Sequence, residues 1–323
     1  MLYVGIDISK SKLNIAFLKA GVWQKLEIAN ETKSIQEWIK NLDNEEVQVV
    51  FEATGSYGAK LLYLLHLNGK PFTMVNPSQS KGFAQVQNNQ NQTDERDAVS
   101  LAEYGACMKP APSPVAHEQW EQLRQTRRAL RQMKKYERML GNQLHALEQF
   151  PFQEATAKEA LVQTLATVRK YMAALEAKIC DLTDAEMNKM VEKIVTINGI
   201  GPVTARELVI ATNGFRHFDN AKQVAKFIGV SPTTKSSGTS VRKKGKISRS
   251  GDSGVRGILY MAAISASRCN KACKELYKRL KDKGKSTKQA LVAVAHKLLR
   301  QAFGVAKSMK DFDNEYYSKL QRT

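Results

Sequence analysis

Apolar positions follow three different rhythms along the chain, and each rhythm marks out a segment. In the first, short β-branched and aromatic runs end on turn residues or on acids. Leu2 to Asp7 reads as a strand that terminates on a carboxylate, Leu13 to Leu18 as a second strand and Trp23 to Ile28 as a third. Ser9 to Lys12 is composed as the hairpin turn between the first two. Ile35 to Leu42 has the spacing of a short helix. Val47 to Glu52 is another strand ending in an acid. Ala53 to Ser56 then turns, Tyr57 to Leu67 is helical, and Pro71 to Val75 is a strand stopped by Asn76 and Pro77. A hairpin followed by alternating strands and helices predicts a mixed α/β sheet over residues 1–108. The stretch Ser78 to Thr93 is polar and rich in Gln and Asn, so a mobile connection is expected there rather than a core element.

The second rhythm is a heptad. Pro110, Pro112 and Pro114 mark a linker, after which Glu118 to Glu148 is strongly charged and helical. Leu123, Leu130 and Leu144 share one seam position; Met133, Leu140 and Leu147 share the other, with Glu137 interrupting. Pro151 breaks the run. Leu161, Val168, Leu175 and Leu182, offset from Leu165, Met172 and Ile179, form a second heptad run. Residues 109–188 are therefore expected to be a linker and two coiled-coil helices, folded as an antiparallel hairpin that also helps two copies associate. Arg124, Arg127, Arg128, Arg131, Lys134, Lys135 and Arg169 decorate these helices, and two roles are open to them: phosphate contacts or a solvated face.

The third segment, 189–323, is mainly helical. Ile194 to Ala205 closes one helix at Asn198 and Gly199, turns through Ile200 and Gly201, and restarts on Pro202, which suits an early helical position. This is similar to the helix-hairpin-helix of DNA-binding proteins, whose turn amides hold a phosphate. Gly199 and Gly201 would permit close backbone approach. A short helix over Phe218 to Phe227 starts near Asp219. Residues 233–246 have no period and are rich in Ser, Gly and Lys. Ile258 to Ala266 is an apolar helix, Lys271 to Lys288 a basic run broken at Gly284, and Ala290 to Leu299 a last apolar helix.

Composition and charge narrow the class. No stretch approaches the ~18 apolar residues of a membrane span, and no secretory leader is expected from the first apolar run, which Asp7 interrupts. The four cysteines (Cys107, Cys180, Cys269 and Cys273) are scattered, as expected of cytosolic thiols without a zinc site, although Cys269 and Cys273 have the spacing of a shared helix face. The formal charge is +19, and residues 1–110 hold 11 Lys or Arg against 12 Asp or Glu. The excess positive charge therefore lies in the remainder. A near-neutral, acid-bearing first domain and a basic remainder suit an enzyme that acts on nucleic acid.

Candidate chemistry centres on Thr93 to Ala98. Asp94 and Asp97 are three apart and share a helix face, where two carboxylates repel unless a cation or proton lies between them. With Asp7 and Glu52 at strand ends, four acids point to a divalent-cation site for phosphodiester chemistry. The same residues also fit a helix cap with acids in its first turn. Lys10, Lys81 and Arg96 are candidate phosphate contacts around that rim. In the C-terminal loop, Lys235, Arg242, Lys243, Lys244, Lys246 and Arg249 suit phosphate, and Ser231, Ser236, Ser237, Ser240, Ser248 and Ser250 are all open as nucleophiles.

Taken together, Gly5 to Asp7, Glu52 to Gly55 and Thr93 to Ala98 resemble, in order and context, the DEDD transposases of bacterial insertion sequences and the related Piv invertase, most closely the bridge-RNA-guided recombinases. The resemblance runs through nearly the whole chain. It implies a multidomain α/β plus α architecture: an RNase H-like (RuvC-like) domain, a coiled-coil hairpin and a C-terminal transposase domain with a helix-hairpin-helix. It implies that Asp7, Glu52, Asp94 and Asp97 hold Mg²⁺, with Mn²⁺ as a substitute. It further implies a serine nucleophile bracketed by Gly229 to Pro232 and Gly238 to Arg242, which points to Ser237 and a covalent 5'-phosphoserine intermediate, with Ser236 adjoining it. Glu95 is an extra acid inside the motif and is expected to face away from the cations. Arg124, Arg128, Gly199 and Gly201 complete the expected nucleic-acid contacts. The implied partners are donor and target double-stranded DNA, a guide (bridge) RNA and other copies of the chain, as a dimer building a tetramer in the bacterial cytoplasm, associated with the nucleoid. The competing expectations are a RuvC-like, metal-dependent endonuclease that uses water, and a non-catalytic nucleic-acid-binding protein.

Overall fold

Alternation along the first strand decides what packs on each side of the sheet. In β1 (Leu2–Ile8), Val4, Ile6 and Ile8 are buried toward one face. There they meet Ile35, Trp38 and Ile39 of α1 (Thr32–Lys40) and Leu61, Leu64 and Leu65 of α2 (Ala59–Leu67). Tyr3, Gly5 and Asp7 face the other way, as a period of two requires. That face receives α4 (Asp94–Met108), and Leu101 and Tyr104 of this helix pack with Val50 and Val75. Gly5 is what lets the helix approach: a Cβ there would collide with the Ala98 carbonyl and the Ala102 amide.

The structure, a computed structural model, describes residues 1–42, 46–53, 55–86, 93–114, 118–233, 236–237, 241–242, 246–248 and 251–315, with backbone only at 233, 236–237, 241–242 and 246. It divides into two compact units, Met1–Val115 and Ala116–Thr323. In the first unit, β1, β2 (Lys12–Lys19), β3 (Val22–Ala29), β4 (Val47–Glu52) and β5 (Phe72–Val75) form one sheet in the order β3-β2-β1-β4-β5. β1, β2 and β3 run antiparallel to one another in turn, β4 pairs parallel with β1, and β5 pairs parallel with β4. This is the mixed, RNase H-like sheet expected from the sequence.

One expectation fails here. Pro77 to Val86 is a helix, α3, rather than an irregular connection. Its Phe83 stacks edge-on against Tyr104 at 5.4 Å, and that single aromatic contact anchors an otherwise polar helix on α4. Residues 87–92 lie outside the described residues.

The second unit is helical apart from short strand pairs. α5 (Glu118–Glu148) and α6 (Ala155–Leu182) pair along the predicted seam, with Leu140, Leu165 and Val168 buried between them. The seam interruption at Glu137 is met by Arg169 at 3.0 Å. α7 (Ala185–Val195), α9 (Ala221–Ile228), α10 (Ser253–Cys269) and α11 (Lys271–Asp282) pack around α12 (Thr287–Ser308), whose Ala290, Val294, Leu298, Leu299 and Ala302 are fully buried, and α8 (Pro202–Thr212) packs on α7 and α10. α12 is longer than its apolar core indicated, because Ser286 and Gln289 form a capping box ahead of it. α9 is capped by Asn220, not Asp219: Asn220 accepts the amides of Lys222 and Gln223. Cys269 and Cys273 share no helix face, since Asn270 ends α10 and starts α11 between them.

Residues between α9 and α10 form two short antiparallel pairs. β6 (Pro232–Thr233) pairs with β9 (Lys246–Ile247), and β7 (Ser236–Ser237) with β8 (Val241–Arg242). Two-residue strands leave no hydrophobic period to detect, which is why the sequence pattern reads as irregular. Among the described residues no helix is long and apolar enough to cross a membrane.

Candidate active site

Asp7 lies at the end of β1. Phe51 is the register partner of Ile6 on the adjacent parallel strand, so Glu52 follows beside Asp7 and on the same face. Helix α4 starts over that face, with Asp94, Glu95 and Asp97 all in its first turn. Thr93 caps it, accepting the Arg96 amide at 3.4 Å. Capping and acid placement are therefore one device: the cap fixes the first turn, and the helix N-terminus favours the negative charges it carries.

The electrostatics tie the four acids together. Burial pushes Asp7 up to about 6, the charges of Asp94 and Asp97 push the same way, the Ile8 amide opposes them and Glu52 adds a final upward push. Asp97 is also raised, first by desolvation and then by Asp94 and Glu52. Glu52 is steadied by the Ser80 hydroxyl, which donates to its Oε2 at 2.7 Å from α3. Asn30, almost fully buried, donates to the Ser9 carbonyl at 2.9 Å and the Tyr57 carbonyl at 3.1 Å, linking the turns that follow Asp7 and Glu52. Among the described residues no three His, Cys, Asp or Glu side chains already stand together as a cation site. Even so, the donor set fits a hard divalent cation: oxygen ligands only, with mutual repulsion that such a cation would relieve.

Sequence reasoning missed Ser80 and Asn30. Asn30 ends a strand, where a polar residue looks like an ordinary turn former, and only its burial shows its role. Glu95 points to Lys25 at 3.5 Å. Lys10, Lys81 and Arg96 are exposed, on the β1–β2 turn, α3 and the first turn of α4.

In the second unit, Arg124 pairs with Glu121 at 3.3 Å and Arg128 is exposed. Arg127 and Arg131 are neither phosphate contacts nor a solvated face. Arg127 Nε meets Glu207 at 2.6 Å and its Nη2 meets Asp252 at 3.1 Å; Arg131 reaches the same two acids at 3.1 and 2.7 Å. Burial works to raise Asp252, but the Arg131 hydrogen bond and the Arg127 charge hold it well below the usual carboxylate range. This cluster ties α5 and α8 to the start of α10, since Asp252 also caps α10 through the Gly254 and Val255 amides.

The hairpin turn lies between α7 and α8, with Pro202 at the helix start and Gly201 as N-cap. Gly199 has φ +98 and packs against Ala266 of α10, where a Cβ would come within 2.6 Å. Its room is thus used inside the fold, whereas Gly201 opens onto space with nothing within 4 Å. The buried Asn270 holds the turn from behind, donating to the Asn198 carbonyl at 3.3 Å. Ser237 is on β7, Arg242 on β8 and Lys246 on β9. Lys235, Lys243, Lys244 and Arg249 lie outside the described residues.

Comparison with known proteins places both segments. Residues 4–150 match the family model of the IS110-type DEDD transposase, described as Transposase, and residues 191–278 match the Transposase IS116/IS110/IS902 family. The chain is 28% identical over 326 residues to the pilin gene-inverting protein of Moraxella bovis, covering 98% of each. It is 29% identical over 146 residues to an insertion element IS110 uncharacterized protein of Streptomyces coelicolor, covering 45% of this chain and 35% of that one. A solved structure of Thermus thermophilus RuvC with a Holliday junction substrate covers 35% of this chain and 98% of its own, at 14% identity and a TM-score of 0.26.

Proposed function

The chain belongs to the IS110-type DEDD transposases and is a DNA recombinase, and from that premise we propose that it cuts and rejoins DNA with Asp7, Glu52, Asp94 and Asp97 as cation ligands and Ser237 as nucleophile. The observation that carries this reading is the mutual repulsion of the four acids at one end of the sheet, centred on half-buried Asp7. Carboxylates gathered in this way are stable together only when a proton or cation offsets them. The four acids would hold Mg²⁺ or Mn²⁺, which supplies charge neutralisation at the scissile phosphate and at the departing 3'-oxygen.

The protein's own groups divide the remaining work. Thr93 and the first turn of α4 keep Asp94 and Asp97 on one face. Ser80 and Asn30 restrain Glu52 and the turns behind the acids. Ser237 Oγ attacks phosphorus and gives up its proton; the O–P bond to serine forms, the P–O3' bond breaks, and the 3'-oxygen takes up one proton and leaves as a hydroxyl, so the step is proton-neutral. Religation reverses these bonds with a different 3'-hydroxyl, so strand exchange needs no net hydrolysis. Ser237 rather than Ser236 rests on the family resemblance of the flanking Gly229 to Pro232 and Gly238 to Arg242.

The basic remainder of the chain, with Arg128, Lys246 and the hairpin amides at Gly201, binds phosphate backbones. Donor and target sequences are then selected by pairing with a guide RNA, and four copies of the chain supply the sites for exchange at two junctions. The domains act as 1–108 catalytic, 109–188 helical and 189–323 DNA-holding.

The test uses the full chain with a nicked DNA substrate that traps covalent intermediates. The intact protein with Mg²⁺ gives a protein–DNA adduct that survives denaturation. Asp7→Ala and Asp94→Ala abolish both cleavage and adduct. Ser237→Ala abolishes the adduct; cleavage that persists without it would replace the serine mechanism with attack by water. Sequencing RNA that co-purifies with active protein tests the guide, and an active preparation with no specific RNA overturns it.

A further inference from the structure

Asn14 lies in the middle of β2, among Leu13, Ile15 and Ala16, which are all buried. A polar residue at such a position needs its hydrogen-bonding groups satisfied. Its side chain is 5% exposed, and its Nδ2 is buried with no partner among the protein atoms. An orphaned buried donor is destabilising, so its persistence calls for an acceptor.

The register identifies the neighbours. Asn14 is directly opposite Asp7 on β1 and Glu27 on β3. Residues directly opposite in an antiparallel pair point to the same face with Cβ atoms about 5 Å apart. Asn14 therefore shares the α4 face with Asp7 and is its direct cross-strand neighbour. Of the two flanking carboxylates, Glu27 already accepts the Lys12 ammonium at 2.7 Å. Asp7 is surrounded instead by other acids, with a single backbone hydrogen bond from Ile8 among its stabilising contacts. Asn14 also lines a shallow cavity of about 130 Å³, with Lys25, Glu27 and Glu95 at its edge.

We propose that Asn14 is a positioning residue of the acidic site, whose amide Nδ2 donates to one oxygen of Asp7 and so orients the other oxygen toward a bound divalent cation. This inference rests on the reading of the four acids as cation ligands. A carboxylate that binds a cation through one oxygen keeps a second oxygen free for a donor, and donors of this kind set the direction and the basicity of the ligand. Asn14 is the buried side chain that β2 presents to Asp7 for that purpose.

Mn²⁺ binding to the full chain, followed by the loss of the free-ion paramagnetic resonance signal, tests this without any need for turnover. Asn14→Leu removes the donor and leaves no polar atom behind; Asn14→Thr restores a hydroxyl donor on a residue suited to a strand. The expected result is Mn²⁺ affinity about 10-fold or more weaker in Asn14→Leu, with most of it recovered in Asn14→Thr. The urea midpoint of Asn14→Leu in EDTA stays at or above that of the parent, because an unpartnered donor has gone. Unchanged Mn²⁺ affinity in Asn14→Leu overturns the proposal. So does a fall in affinity that only tracks a lowered urea midpoint and is not rescued by Asn14→Thr. Asp94→Asn separates the two levels: if it too leaves Mn²⁺ binding intact, the acids are not the ligands and the underlying reading fails. If Asp94→Asn abolishes binding while Asn14→Leu does not alter it, only the role of Asn14 is lost.

Discussion

Replacing Asp7 by Asn should stabilise the first unit in the absence of divalent cations while removing DNA cleavage. Burial and the neighbouring carboxylates raise Asp7 from 3.8 to about 6. A shift of about 2 units corresponds to about 3 kcal/mol between charged and neutral forms. The side chain is half-buried, so solvent screening reduces this to about 1–2 kcal/mol. The sign follows from the direction of the shift. Below pH 3.8 the carboxyl is protonated whether the chain is folded or not, and its contribution is fully present. Between pH 3.8 and about 6 the unfolded chain has released the proton that the folded chain still holds, and stability falls with rising pH. Above that window the folded protein carries a charge it disfavours. Asn keeps an acceptor for the Ile8 amide without that charge. Hydrogen exchange of β1 and β4 peptides in EDTA, compared between parent and Asp7→Asn, isolates this group from the rest of the chain. The variant should be about 1–2 kcal/mol more protected at pH 8, with the gap closing by pH 4. Added Mg²⁺ should protect the parent and not the variant. A variant less protected than the parent at pH 8, or a gap that does not change with pH, would refute the reasoning.

Two further substitutions test the scaffold. Gly5→Ala places a Cβ into the Ala98 carbonyl and the Ala102 amide, both backbone atoms that cannot rotate away; a loss of about 1–3 kcal/mol in urea unfolding is expected, together with weaker Mn²⁺ binding as α4 is displaced from β1. Arg127→Ala leaves Glu207 and Asp252 short of a partner in a buried cluster, for an expected loss of about 3–5 kcal/mol near neutral pH. Because the folded state holds Asp252 below its ordinary value, the stability it contributes is present above pH 3.8 and is lost on acidification, so the Arg127→Ala penalty should shrink in acid urea titrations.

The sheet was legible because its strands alternate and end on polar residues. Val4, Ile6 and Ile8 set one face, and the odd positions of β1 necessarily take the other. The pairing of α5 with α6 was legible because a heptad survives even where Glu137 interrupts it. What escaped depends on contacts distant in sequence. Arg127 and Arg131 carry the same spacing as exposed arginines on that helix, and only Glu207 and Asp252, 80 and 125 residues from Arg127, make them internal. α3 has a weak apolar stripe and gains its place from Phe83 on Tyr104. The acids themselves were visible as types and spacings, but Ser80 and Asn30, which restrain their surroundings, carry no signal until burial is known.

Two locally disfavoured groups occupy facing positions of two strands. Asp7 bears a charge that its surroundings oppose, and Asn14, opposite it, bears a donor with no acceptor. A fold selected only for stability would replace both with apolar residues, as their neighbours Ile6, Ile8, Leu13 and Ile15 already are. The adjoining structure is close-packed and braced: Gly5 is closed against α4, and the Asn30 amide donates to two carbonyls. Rigid, well-packed supports around a pair of individually unfavourable polar groups are what a preorganised site requires, because the carboxylate must be held where a cation completes it and the amide where it can orient that carboxylate. The same logic explains why Arg127 and Arg131 are different in kind. Their charges are answered within the protein by Glu207 and Asp252, so that cluster fixes α5, α8 and α10 without inviting a ligand. Satisfaction inside the chain separates the structural charges from those that await a cation.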